Sequence, residues 1–391
     1  MTYFLIFLTL VFWCFCFLSF SKKGRNFIRN LFGLSSVESE NYLKGFDGLR
    51  GIASLWVSIF HLLVWPEPPN NPLQLDINLL GSKAVPIFIA LSGFLIIKTF
   101  KKNLDSNDNF AQTLKYFFFN RFIRVYPLYF FTGIIHLYIY FDYLISKNLI
   151  TFELIKNNII GEIFMLKIIG WDGMINPVSW SLYVEVIFYF LVPFIIIFTK
   201  KRLLFFSTIS FVIFSCLDMT ISRELALWEY FALGIIAEEI FNKKLINKFF
   251  SIFISIIGGL ALFLDIFIQF NKELDYSTPT PPEFTFLLSI SIFLLLISIP
   301  KSTIINIFLE LFPLKFIGKI SYSLYLTHSL FIIYIFNLTF DGKGHFIKLF
   351  ENLETYRSFS LFIFLIPSMI TFASISYLIF EKPFLKFKSN I

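Results

Sequence analysis

The residues best suited to chemistry in this chain are a few polar side chains set inside long apolar stretches. In FDGLRGIASLWVSIFHLL, Arg50 and His61 stand eleven residues apart, which at 100° per residue brings them within about 20° of one helix face. Asp47 precedes Arg50 by one turn, and Ser54 and Ser58 fill the interval, so that face is polar from end to end. The rise between Arg50 and His61 is about 16 Å, which puts the guanidinium near one end of a crossing helix and the imidazole deep in it. An imidazole there suits general-base work on a hydroxyl near neutral pH. The plainer reading is that Arg50 reaches for headgroups and pairs with Asp47 while His61 bonds a neighbouring helix. The alignment of the whole set favours the first reading.

Arg121 and Arg124, one turn apart at the expected start of another span, present two planar donor forks on one face. Such forks grip phosphates, or anchor a helix at the basic side of a membrane. Ser181, Glu185 and Tyr189 fall at i, i+4 and i+8 of a later apolar block, with Trp180 at its mouth. A carboxylate inside a span must be neutral or paired, so Glu185 would orient His61, bind an acceptor, or bond a Tyr or Ser of another helix. Ser92 beside Gly93 lacks the G-x-S-x-G frame of a nucleophile elbow, and small residues suit close helix packing. His328, on a helix rich in Ser and Tyr, could be a second base or a structural residue. His136 and His345 have no supporting constellation, and nothing resembles a metal-ligand cluster, a phosphate-cradling glycine loop or a nucleotide fold.

The elements that must carry these residues are membrane spans. Apolar residues make up 57% of the 391, charged ones only 15%, the composition of a chain solvated by lipid. Blocks near twenty residues long predict eleven helices, at 2–20, 46–65, 83–100, 124–141, 178–199, 203–219, 225–241, 249–270, 284–300, 319–338 and 359–380. The fold class is therefore an all-α, polytopic transmembrane bundle of about 11 spans. With the N-terminus outside, most of the 33 lysines and arginines fall on the cytoplasmic side, among them Lys200, Lys201 and Arg202, Lys243, Lys244 and Lys248, and the tail with Lys382, Lys386 and Lys388. The segment Asn271 to Glu283 then lies outside. The first block has its basic residues (Lys22, Lys23, Arg25, Arg29) after the apolar stretch, as a spanning helix does and a signal peptide does not. The net charge of +7 is explained by these short basic runs, so no nucleic-acid partner is implied. Cys14, Cys16 and Cys216 lie in apolar blocks and are expected to pack in the core. The longest polar interruptions, 21–45, 101–123, 142–177 and 339–358, leave no room for a soluble domain, and there is no internal repeat of the transporter kind.

The Arg, ten residues, His pattern within FDGLRG resembles the acyltransferase family 3 membrane proteins, the O-antigen and exopolysaccharide O-acetylases. Further motifs follow in the family's order: PIFIALSGFLI with Phe88, Ser92 and Gly93, NRFIRVYPLY with Arg121, Arg124 and Pro127, WSLYVEVIFY with Trp180, Ser181, Glu185 and Tyr189, YFALG, GKISYSLYLTH with Ser321, Tyr325 and His328, and EKP at Glu381 to Pro383. The resemblance runs from about residue 45 to 385. It implies a membrane acyltransferase domain of ten helices over 45–385, preceded by an extra spanning helix and basic cytoplasmic linker over 1–30. The family lacks that helix, and this chain lacks the extracytoplasmic hydrolase-like domain of some members.

By the same resemblance the expected reaction is transfer of an acyl group, acetyl above all, from cytoplasmic acyl-CoA to a carbohydrate or glycolipid hydroxyl at a bacterial inner membrane. His61, Glu185 and Asp47 would be catalytic. Arg50, Arg121, Arg124 and Ser92 would bind the donor, and Trp180, Ser181, Tyr189, Tyr325 and His328 the acceptor. No permanent cofactor or metal is expected, and self-association is left open. Three other readings stay open: a proton-coupled transporter, a different membrane acyltransferase class that relies on His328, and a non-catalytic assembly subunit.

Overall fold

A computed structural model of the protein describes residues 2–34, 42–64, 81, 83–106, 109–146, 148–149, 151–165, 176–199, 202–217, 223–270, 286–336 and 361–387. His345 and the segment Asn271 to Glu283 lie outside these. The described residues form helices and no strand: α1 (Thr2–Phe20), α2 (Lys22–Phe32), α3 (Phe46–Val64), α4 (Ala84–Ser106), α5 (Phe110–Ser146), α6 (Phe152–Ile163), α7 (Trp180–Thr199), α8 (Leu203–Leu217), α9 (Arg223–Asn242), α10 (Lys248–Phe270), α11 (Phe286–Ser298), α12 (Thr303–Leu309), α13 (Phe312–Lys319), α14 (Ser321–Phe336), α15 (Ile366–Ser376) and α16 (Lys382–Phe387). Single π turns, Leu361–Leu365 and Tyr377–Glu381, flank α15.

Each of the eleven apolar blocks falls on a helix. Five helical runs are long and apolar enough to cross a membrane, and seven if each of two bent pairs counts as one. The bent pairs are α11 with α12, at 96°, and α13 with α14, at 71°. Helices α3 and α9 have the length, 19 and 20 residues, but carry charge: Asp47 and Arg50 on α3, and Glu229, Glu238 and Glu239 on α9. Such charges persist inside a bundle only with partners or water. Glu238 is buried and accepts from Lys101 Nζ at 2.7 Å, and buried Glu229 accepts from Ser289 Oγ at 2.5 Å.

Several polar interruptions are not loops. Lys22–Phe32 is an amphipathic helix rather than a linker, because Ser21 caps it (Gly24 N to Ser21 Oγ, 2.9 Å), Gly33 ends it at φ 66°, and Gly24, Ile28 and Phe32 bury one stripe. Lys22 and Lys23 are exposed, and Arg25 and Arg29 are half-buried. Helix α5 starts about four turns earlier than expected. Asn109 Oδ1 accepts from the Ala111 amide at 3.0 Å, which caps an added stretch that buries Thr113 and Phe117. Arg121 and Arg124 therefore sit inside a 37-residue helix and not at its start. The interruption 142–177 likewise holds α6. Cys14 and Cys216 are exposed on apolar helices rather than buried, since a helix solvated by lipid needs no polar outer face.

Small residues fix how the site helices meet. Helices α4 and α9 touch backbone to backbone: a Cβ on Gly234 would collide with the Ala90 carbonyl, and one on Gly93 with that of Phe231. Gly48 and Gly51 of FDGLRG do the same for α3 against Leu309 and α13, where Gly318 faces Asp47. Glu310 then pins the entry to α3, accepting from the Gly45 amide at 2.6 Å and from Lys315 Nζ at 2.7 Å. Helix α14 stands between two cores, one formed largely by α4, α7, α9 and α11 and the other by α1, α2 and α15.

Candidate active site

Three cavities meet at Arg50. An inner one of about 90 Å³ is lined by Arg50, Ser92, Arg121, Arg124, Glu185 and Tyr325, among others. Beyond Arg50 a vestibule of about 640 Å³ is bordered by Asp47, Lys98, Lys101, Lys102 and Glu238. A side chamber of about 150 Å³ includes Arg124, Lys319, Tyr322 and Glu381. Three guanidinium groups from α3 and α5 thus share one enclosure, a layout suited to anionic oxygens.

The arginines differ in how they are held. Arg50 pairs with Asp47 one turn away, while its buried Nε has no hydrogen-bond partner among the described residues. A buried donor left unmatched costs about 1–3 kcal/mol. Arg121 lies 5.4 Å over the Tyr189 ring and 5.6 Å over that of Phe117, contacts that fix its plane.

Glu185 belongs to this arginine group. Its Oε1 accepts from Ser92 Oγ at 2.9 Å and from Tyr189 OH at 2.6 Å. Of the uses open to Glu185 in the sequence, this matches a bond to Tyr and Ser, in a cavity that it lines together with Arg50, Arg121 and Arg124. Ser181, on the same face of α7, bonds Tyr325 OH at 2.6 Å, and that hydroxyl donates to the Val178 carbonyl at 2.9 Å. Trp180 packs half-buried against the main core instead of lining the cavity.

At the other end of α3, His61 Nδ1 lies 2.9 Å from His328 Nε2, with ring planes 18° apart. His328 is fully buried and its Nδ1 is 3.2 Å from the Leu324 carbonyl oxygen. Tyr325 links the two centres: it lines the inner cavity, and its ring centroid is 5.9 Å from that of His328. Ser54 and Ser58, expected to face the stripe, turn back to the Gly51 and Ser54 carbonyls, at 3.0 and 2.8 Å. Besides Arg50, the inner cavity is lined from α4, α5, α7 and α14.

Other site residues escaped the sequence reading. Glu381 is buried and accepts from Ser323 Oγ at 2.6 Å; its signal was the EKP motif, without a partner to explain it. Lys98, Lys101 and Lys102 signalled themselves only as a basic run. His136 is buried between Thr132 O, at 2.8 Å, and Ser329 Oγ, at 3.2 Å, beside the His pair.

An acyltransferase-domain family model (Acyl_transf_3) matches residues 43–379. The chain belongs to this acyltransferase family. The match covers every site residue expected from the sequence and begins beyond α1 and α2. A candidate acetyltransferase of Acidianus two-tailed virus, ORF330, is 33% identical over 108 residues, which span 27% of this chain and 29% of that protein. No solved structure matches. The family and the apolar helices together make this a multi-pass membrane protein.

Proposed function

We propose that the protein moves an acyl group, most simply acetyl, from cytoplasmic acyl-CoA to a carbohydrate or glycolipid hydroxyl presented at the far side of a bacterial inner membrane. With α1, α3, α8 and α9 added to the seven apolar candidates, the chain crosses eleven times, N-terminus outside and C-terminus inside. The vestibule then opens to the cytoplasm, where Lys98, Lys101 and Lys102 meet the nucleotide phosphates of the donor. Arg50, Arg121 and Arg124 hold the phosphates nearest the acyl arm, and the arm follows α3 over the remaining rise of about 16 Å to His61.

At His61 the acceptor O–H bond breaks as its oxygen forms a bond to the acyl carbon, and the proton passes to the imidazole. The C–S bond then breaks, and the protonated imidazole returns that proton to the departing thiolate. Glu185 offsets part of the arginine charge and holds Ser92 and Tyr189 in place. In this reading the acceptor approaches past Tyr325 and Ser181, which line the inner cavity.

The observation that carries this reading is Arg50: it is the common wall of three cavities, and its buried Nε–H has no acceptor among the described residues. The test is mass spectrometry of surface carbohydrates from cells with and without the protein, combined with CoA release by membranes. Acylated glycan that disappears with the gene, and CoA release that needs an acceptor, are expected. Solute uptake with no acylated product would establish a transporter instead.

A further inference from the structure

The atom of His61 that takes the proton is set by a residue distant in sequence, an assignment that rests on His61 being the base. His328 Nδ1 lies 3.2 Å from the Leu324 carbonyl oxygen. A carbonyl only accepts, so this nitrogen carries the proton of the neutral ring and Nε2 carries the lone pair. That lone pair is on the nitrogen 2.9 Å from His61 Nδ1, in rings whose planes lie 18° apart, so His61 Nδ1 is the donor. The proton on Nδ1 leaves the basic lone pair of His61 on Nε2.

We infer that His328 is a positioning residue, which locks His61 in the Nδ1–H tautomer and makes Nε2 the atom that deprotonates the acceptor. The surroundings hold His328 itself in place. Its neighbour Ser329 bonds His136 Nε2 at 3.2 Å, and His136 Nδ1 is tied to the Thr132 carbonyl at 2.8 Å. Tyr325, one turn before, is fixed through its hydroxyl to Ser181 and Val178. A second imidazole also suits the site energetically. It orients the base as a carboxylate would, without the desolvation of a buried anion. When His61 Nε2 gains the acceptor's proton, the bond from Nδ1 to His328 becomes charge-assisted and strengthens. When Nε2 passes the proton to the thiolate, the pair returns to its starting state.

The test uses the full-length protein in lipid nanodiscs, assayed for CoA release with acceptor. His328→Ala is expected to lower kcat about 100-fold, within the range of a lost general-base contribution, with donor KM unchanged. His328→Gln, whose Oε1 can accept in place of Nε2, should recover about tenfold of that loss, and His328→Asn, too short to reach, should not. Nitrogen-15 NMR of the wild-type protein, with His61→Ala to assign the signal, should show His61 protonated at Nδ1 and bare at Nε2. Full kcat in His328→Ala, failure of Gln to outperform Asn, or a proton on His61 Nε2 would each overturn the inference. The NMR outcome decides should the alanine variant misfold. Full activity in His61→Ala would instead overturn the reading of His61 as base.

Discussion

Replacing Arg50 by alanine removes the side chain on which the donor path converges. The loss is worked from Nε: a hydrogen bond to a charged group contributes about 1.5–3 kcal/mol. At about 1.36 kcal/mol per tenfold, loss of one such bond lowers kcat/KM for acyl-CoA by about 10- to 150-fold. Arg50→Ala also strips Asp47 of its ion-pair partner, although Lys319, which shares a chamber with Asp47, softens that loss. Asp47→Asn combined with Arg50→Ala should therefore restore protein abundance without restoring donor use. Arg50→Lys keeps the charge but has no Nε–H fork, and should fall between wild type and alanine. The assay is CoA release over a donor titration at saturating acceptor. An Arg50→Ala enzyme with unchanged donor kcat/KM, at equal abundance, would refute the reasoning.

Three further outcomes follow from the geometry. Ser92→Ala and Tyr189→Phe each remove one bond to Glu185 Oε1, worth about 1 kcal/mol; donor KM should rise about fivefold in each, and less than additively in the double variant because both bonds meet one oxygen. Raising ionic strength should raise KM for acyl-CoA but leave acyl-pantetheine unaffected, since the lysines of the vestibule act on phosphates through screened charge. Gly234→Ala, which presses a Cβ on the Ala90 carbonyl, should destabilise the α4–α9 contact by about 1–3 kcal/mol, read as a lower melting temperature by size-exclusion after heating.

Much of the fold is legible in the sequence because lipid solvation makes each spanning helix a long apolar block. The eleven blocks all lie on helices. Arg50 and His61 on one face of α3, and Ser181, Glu185 and Tyr189 along α7, follow from helical spacing alone. What spacing does not carry is partnership between helices. His61 meets His328 across 267 residues, and Glu185 meets Ser92 across 93, so the sequence reading left the roles of Glu185 and His328 open. The bends at 299–302 and before α14 also escape a hydropathy window, because the apolar run continues while the axis turns by 96° and 71°. The glycines of FDGLRG read as a motif but act as contact surface, which only the packing of α13 on α3 makes plain.

The central claim is that an arginine-lined donor cavity and the His61 imidazole serve one acyl transfer. It is tested most directly with the purified protein in nanodiscs, labelled acyl-CoA and an acceptor glycan, comparing wild type with His61→Ala. Label should move to the glycan with wild type only, while both proteins bind acyl-CoA with the same affinity. Label transfer by His61→Ala at the wild-type rate would contradict the account.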